Sequence, residues 1–104
     1  MANERLNQAQ IEEGMKSLHQ WTCNLSDVSI SKAWRFESYK TAIAMLVKVS
    51  ELAEHQNHHP EMTSAYTRVC IKLWTHDANG LTSKDFELAQ AIDQLYQKDF
   101  SQEK

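Results

Sequence analysis

The stretch Ile30-Ser31-Lys32-Ala33-Trp34-Arg35-Phe36, followed at once by Ser38 and an apolar-striped run from Tyr39 to about Asn57, decides the fold. In its first part Ile30, Trp34 and Phe36 face one way, while Ser31, Ala33 and Arg35 face the other. That is the two-residue period of a strand with one buried face. In its second part Ala42, Leu46, Val49 and Ala53 form one stripe at helical spacing, and Ile43, Met45 and Val47 widen it. Ser38 stands where its hydroxyl can cap the helix. The apolar surface is broader than one helix on one sheet requires, so the helix is expected to pack against another subunit as well.

Working outward, Asn7 to Leu18 reads as a short helix with Ile11, Met15 and Leu18 on one face and Asn7 as its cap. Gly14 weakens it by about 1 kcal/mol relative to Ala. Trp21 to Leu25 reads as a strand, and Asn24 to Ser29 is rich in turn formers. Beyond the long helix, Pro60 disfavours helical backbone at His59. Met62 to Tyr66 reads as a short strand. Arg68 to Thr75 is a better one, with Val69, Ile71 and Leu73 on one face and Cys70, Lys72 and Trp74 on the other. The break near Thr67 has no glycine to turn on. Asp77 to Gly80 is a loop, and Thr82 with Asp85 three residues on makes a capping box for a last helix faced by Leu88, Ile92, Leu95 and Tyr96. The tail from Ser101 to Lys104 is expected to fray. The order helix, strand, strand, helix, strand, strand, helix predicts an α+β fold, an antiparallel sheet with helices on one face.

The chain has 104 residues, which suits a single domain over 1–104. Apolar residues make up 41% and charged ones 24%, which argues against disorder throughout. A net charge of −3 with no basic run argues against direct nucleic-acid binding. Cys23 and Cys70 are too few for a disulfide scaffold and read as small buried apolar groups. Residues Met1 to Gln10 are polar, without a signal-like apolar run, and Ala42 to Val47 falls far short of the ~18 residues of a membrane span. A reducing compartment, most simply the cytoplasm, is expected.

Four of the five histidines lie between His55 and His76. His58 and His59 stand where the long helix gives way to a proline-restricted loop, and His76 closes the best strand. A helix end and a strand end can converge on one pocket, where side chains are aimed by rigid elements. Imidazole exchanges protons near neutral pH. The bland alternative is a surface pair interacting with the helix dipole, with His55 and His76 solvated. Trp21, Trp34 and Trp74 read as core or interface residues. His55 with His58 or His59 has helical ligand spacing, but there is no His-Glu-x-x-His motif and no cysteine pair, so no metal site is expected. No nucleophile elbow and no glycine-rich phosphate loop occur. Proton transfer by imidazoles is what remains.

At these residues the sequence resembles the pterin-4a-carbinolamine dehydratases. The pattern is Glu54, then His58-His59-Pro60, Tyr66, His76 and Asp85, with Thr75-His76, Gly80-Leu81-Thr82 and the helix through Leu88, Ala89 and Ile92 around it. The match is dense from about Ala53 to Ile92 and looser from Leu18 to Leu52. The resemblance implies a four-stranded antiparallel sheet with three helices on one face, a homotetramer or dimer, and no metal or redox cofactor. It implies loss of water from 4a-hydroxytetrahydropterin, giving quinonoid dihydropterin and so recycling the cofactor of aromatic amino-acid hydroxylases. It implies a catalytic set of His58, His59 and His76, with proton transfer by His58 and His76 and with His59 mainly binding and orienting the pterin beside a share in acid–base catalysis, and pocket contacts from Glu54, Asn57 and Thr75.

Two positions depart from the family pattern. Asn57 replaces an Asp common in animal members, removing a negative charge beside His58, and Met62 replaces an aromatic. The competing expectations are a dimerisation-cofactor role for a transcription factor, as in animal relatives, through the surface of the long helix, and a degenerate member that binds pterin without turnover.

Overall fold

Asn7 opens the first helix with a reciprocal cap. Its side-chain oxygen accepts from the Gln10 amide at 2.8 Å, and the Gln10 side chain accepts from the Asn7 amide at 2.8 Å. The computed structural model describes residues 4–101, and α1 within it spans Gln8–Lys16. The helix stops two residues short of the predicted Leu18, because Ser17 closes it by donating to the Gly14 carbonyl. Strands β1 (Thr22–Asn24) and β2 (Ser29–Arg35) follow, then α2 (Tyr39–Gln56), β3 (Glu61–Ala65), β4 (Arg68–Leu73), a 3-10 turn (His76–Ala78) and α3 (Ser83–Asp99). The predicted order of elements stands. Of the tail expected to fray, all but Ser101 lies outside the described residues.

The sheet is antiparallel throughout, in the order β1-β2-β4-β3. Ile30 pairs with Leu73 and Trp34 with Val69 across β2 and β4, so the apolar face predicted for each strand is shared. Those residues and Ile71 form one core with Ile11 of α1, Ala42, Met45 and Val49 of α2, and Leu88, Ala89 and Ile92 of α3. All three helices therefore cover the same sheet face. A fully buried Ile or Leu here contributes roughly 1.5–3 kcal/mol by leaving water. Among the described residues no helix is long and apolar enough to cross a membrane.

Among the described residues the other sheet face has no helix over it, and this corrects the expectation for Cys70. Cys70 lies on that open face and Cys23 on the short edge strand β1, so both are only partly buried, and both are free. Partial burial, with Asp27 nearby, raises the Cys23 thiol above its ordinary range. Other bounds differ too: β1 is shorter than the Trp21 to Leu25 expected, and β2 starts and ends one residue before Ile30 and Phe36. β3 starts and ends one residue early, because Tyr66 takes the left-handed conformation at φ 55° and turns the chain where no glycine stands. β4 ends at Leu73 rather than Thr75, which instead bridges to Gly80. His76 therefore opens the 3-10 turn rather than closing the strand.

Gly14 has a packing reason to be a glycine. A methyl group there would stand 2.9 Å from the Phe86 ring, which is itself in the core. Gly14→Ala should therefore fail to deliver the ~1 kcal/mol that helix propensity promises. The crowding should leave the protein about 1 kcal/mol less stable in chemical denaturation. A gain of about 1 kcal/mol would contradict this packing.

Candidate active site

Helix α2 ends in a way that launches both central histidines. Asn57 adopts the left-handed conformation (φ 53°, ψ 44°), which asparagine tolerates better than most residues. The His58 amide then donates to the Ala53 carbonyl at 3.0 Å and the Asn57 amide to that of Glu54 at 3.2 Å. These two bonds satisfy carbonyls that the helix end would leave open. The chain leaves the helix sharply, and His58 turns inward while His59 stays at the surface.

His58 is 9% exposed and meets Asp85, whose side chain is fully buried. His58 Nε2 lies 2.6 Å from Asp85 Oδ1. The other oxygen, Oδ2, accepts from the Thr75 hydroxyl at 2.8 Å and from the Thr82 amide at 2.9 Å. Thr75 has one hydroxyl proton, given to Asp85, so Thr82 donates to Thr75 Oγ1 across their 2.8 Å contact. With Asp85 ionised, its partner nitrogen on His58 is the protonated one. Nδ1 then carries the lone pair. The carboxylate joins the end of α2, the segment after β4 and the first turn of α3.

A cavity of about 580 Å³ opens beside this cluster, lined by Asn57, His58, His59, Trp74, Thr75, His76, Asp77 and Lys84. That volume lies within the ~300–1,000 Å³ usual for small-molecule sites. The three histidines singled out from sequence thus come together, and Asn57 and Thr75 join them. Glu54 is not among the lining residues. It sits on the exposed last turn of α2 and holds His59, Oε2 to Nε2, at 2.7 Å. His76 is exposed at the start of the 3-10 turn. His55 is exposed and outside the cavity. Among the described residues no three His, Cys, Asp or Glu side chains converge as a metal site would need.

Trp74, Asp77 and Lys84 line the cavity without having been singled out for it. Trp21 and Trp34 are core residues as expected, but Trp74 is only half-buried and faces the cavity. The alternation of β4 places Trp74 on the open sheet face, which was the available sign. Asp85 was legible as a helix cap, and the capping box is present. Its bond to His58 spans 27 residues and has no sequence signature.

Comparison with known proteins places the chain in a family. Residues 4–95 match the family model described as Pterin 4 alpha carbinolamine dehydratase. A protein of Rhizobium rhizogenes named "Putative pterin-4-alpha-carbinolamine dehydratase" is 42% identical over 93 residues, covering 89% of this chain and 92% of that one. One of the same name from Roseiflexus sp. is 43% identical over 91 residues, covering 88% and 96%. The chain belongs to the pterin carbinolamine dehydratase family. Among solved structures, a transcriptional coactivator/pterin dehydratase from Brucella melitensis superposes with a TM-score of 0.84 at 29% identity, over 88% of this chain and 98% of that one. A pterin dehydratase-like RuBisCO assembly factor of the alpha-carboxysome shares the fold, with a TM-score of 0.63 at 24% identity over 74% and 89% of the two chains.

In this member of the family, Asp85→Asn places amide hydrogens against donors that need an acceptor. It should lower stability by roughly 1.5–3 kcal/mol, the scale of hydrogen bonds to a charged group. A loss below about 0.5 kcal/mol in urea unfolding would show that the carboxylate does not hold these three segments together.

Proposed function

We propose that this protein dehydrates 4a-hydroxytetrahydropterin to quinonoid dihydropterin and water by histidine general acid–base catalysis, recycling tetrahydropterin after aromatic amino-acid hydroxylation. The observation that carries the reading is the convergence of His58, His59 and His76 on one cavity, with His58 fixed by a buried carboxylate.

The reaction moves two protons. The hydroxyl at C4a leaves as water once protonated. The adjacent ring nitrogen supplies the electron pair for the new C=N bond and gives up its own proton. The substrate therefore loses one water in total and needs no electron acceptor. We assign the proton acceptor to His58, whose Nδ1 lone pair is free when Nε2–H is held by Asp85. The imidazolium formed there sits against the carboxylate, which stabilises it. His76 donates to the departing hydroxyl. His59, tied to Glu54, binds and orients the pterin, with Asn57 and Thr75 as further polar contacts around the ring. Paired general acid and base catalysis of this kind contributes roughly 10²–10⁴-fold.

A homo-oligomer, dimer or tetramer, accompanies this reading. Val47 and Tyr39 on α2 remain 52% and 55% exposed. Packing of α2 against another copy would cover both. The same surface is the one a protein partner would use if the chain served as a dimerisation cofactor. We place the protein in the cytoplasm, in keeping with its two free cysteines.

Steady-state assays on freshly generated substrate should separate the three histidines. His58→Ala and His76→Ala should mainly lower kcat, toward the uncatalysed rate, whereas His59→Ala should mainly raise KM. Equal kcat losses with unchanged KM in all three would refute this division of roles. For assembly, light scattering should give the mass of a dimer or tetramer, and Val47→Asp should shift it toward monomer. A monomeric wild-type protein would remove the oligomer from the proposal.

A further inference from the structure

Trp74 stands between two cavities. One is the histidine cavity, and the other, of about 170 Å³, is lined by Asp27, Lys72, Trp74, Asn79 and Gly80. On the second side Lys72 Nζ lies 5.5 Å from the centroid of the Trp74 ring system, within cation–π distance. Lys72 is itself anchored, with Nζ 2.7 Å from Asp27 Oδ2. Asp27 also accepts from the Ser29 hydroxyl at 2.7 Å. The Lys72 hydrogen bond, then that of Ser29, holds the Asp27 carboxyl below its ordinary range, and the bond to Asp27 raises Lys72 above its own. Both groups are thus charged across neutral pH.

The backbone beside the ring is pinned as well. The Thr75 amide donates to the Gly80 carbonyl at 2.8 Å, and the Thr75 side chain is engaged by Asp85 and Thr82. Of the residues lining the histidine cavity, Trp74 has the largest apolar side chain. The others present imidazoles, short polar groups and an ammonium.

From this geometry we infer that Trp74 is a substrate-binding wall on which the flat pterin ring stacks, and that Lys72 and Asp27 are positioning residues that hold its indole in place. The inference rests on the dehydratase reading and adds to it a residue outside the three histidines and their polar neighbours. A planar bicyclic ligand needs one face against an apolar surface while its edge meets hydrogen-bonding groups. The histidines and Asn57 suit the edge. Trp74 suits the face.

The test compares wild type, Trp74→Ala, Trp74→Phe and Lys72→Met by two measurements. Turnover of freshly generated 4a-hydroxytetrahydropterin gives KM and kcat, and calorimetry with stable 7,8-dihydrobiopterin gives Kd. Trp74→Ala should raise KM and Kd roughly tenfold, the scale of one base stacked on an aromatic side chain, while kcat changes by less than about twofold. Trp74→Phe should recover most of the affinity, and Lys72→Met should raise KM about twofold to threefold, as loss of one exposed cation–π contact would. Unchanged KM and Kd in Trp74→Ala, beside an active wild type, would overturn the inference and leave the dehydratase standing. A Trp74→Phe protein as impaired as Trp74→Ala in kcat and melting temperature would show a structural role instead. A folded wild type that neither binds the pterin nor turns it over would overturn the proposed function and this inference with it.

Discussion

The buried carboxylate of Asp85 is the interaction on which the rest of the site depends. It is fully buried, and an ion there is costly unless its lone pairs are filled. Three donors engage both oxygens, one from each of three separate parts of the chain: His58 after α2, Thr75 after β4 and Thr82 at the start of α3. Removing any one donor leaves a buried acceptor short, so the three segments are held together as a unit. The same contacts fix the direction of the His58 ring. The Asp85 side chain that completes the capping box of α3 thus also holds His58.

The fold supplies this hub with its partners through ordinary packing. The shared apolar face of β2 and β4 sets the register, and α2 and α3 lie on it side by side. The C-terminal end of α2 and the N-terminal end of α3 therefore meet beyond the end of β4. Asn57 then makes the abrupt exit from α2 that sends His58 inward. The departure from aspartate at this position thus coincides with a left-handed backbone, for which asparagine is well suited.

Much of this was legible from residues alone. Period-two alternation in Ile30 to Phe36 and Arg68 to Thr75 marked the sheet face, and Asn7, Ser38 and Thr82 marked three helix starts that the structure places at those residues. The histidine cluster was visible as a cluster, and so was its likeness to one family. What stayed hidden was tertiary. No local pattern tells that the Asp85 cap reaches back to His58, or that an indole on the uncovered sheet face turns toward a cavity at the strand end. Cys70 was misjudged for the same reason, since residue type alone does not reveal which sheet face has no helix over it, whereas Cys23 faces the core but sits on a three-residue edge strand that leaves it only partly covered. The turn at Tyr66 was obscure because a bulky residue takes a backbone conformation that glycine ordinarily signals.

The most direct test of the hub is the tautomer of His58, read from the ring nitrogen shifts in a ¹⁵N-labelled sample, with a His58→Gln protein to assign them. The account predicts that neutral His58 carries its proton on Nε2, donated to Asp85, with Nδ1 unprotonated toward the cavity. A neutral His58 protonated on Nδ1 would contradict it, because Nε2 would then have no proton to give the carboxylate and no lone pair would face the substrate.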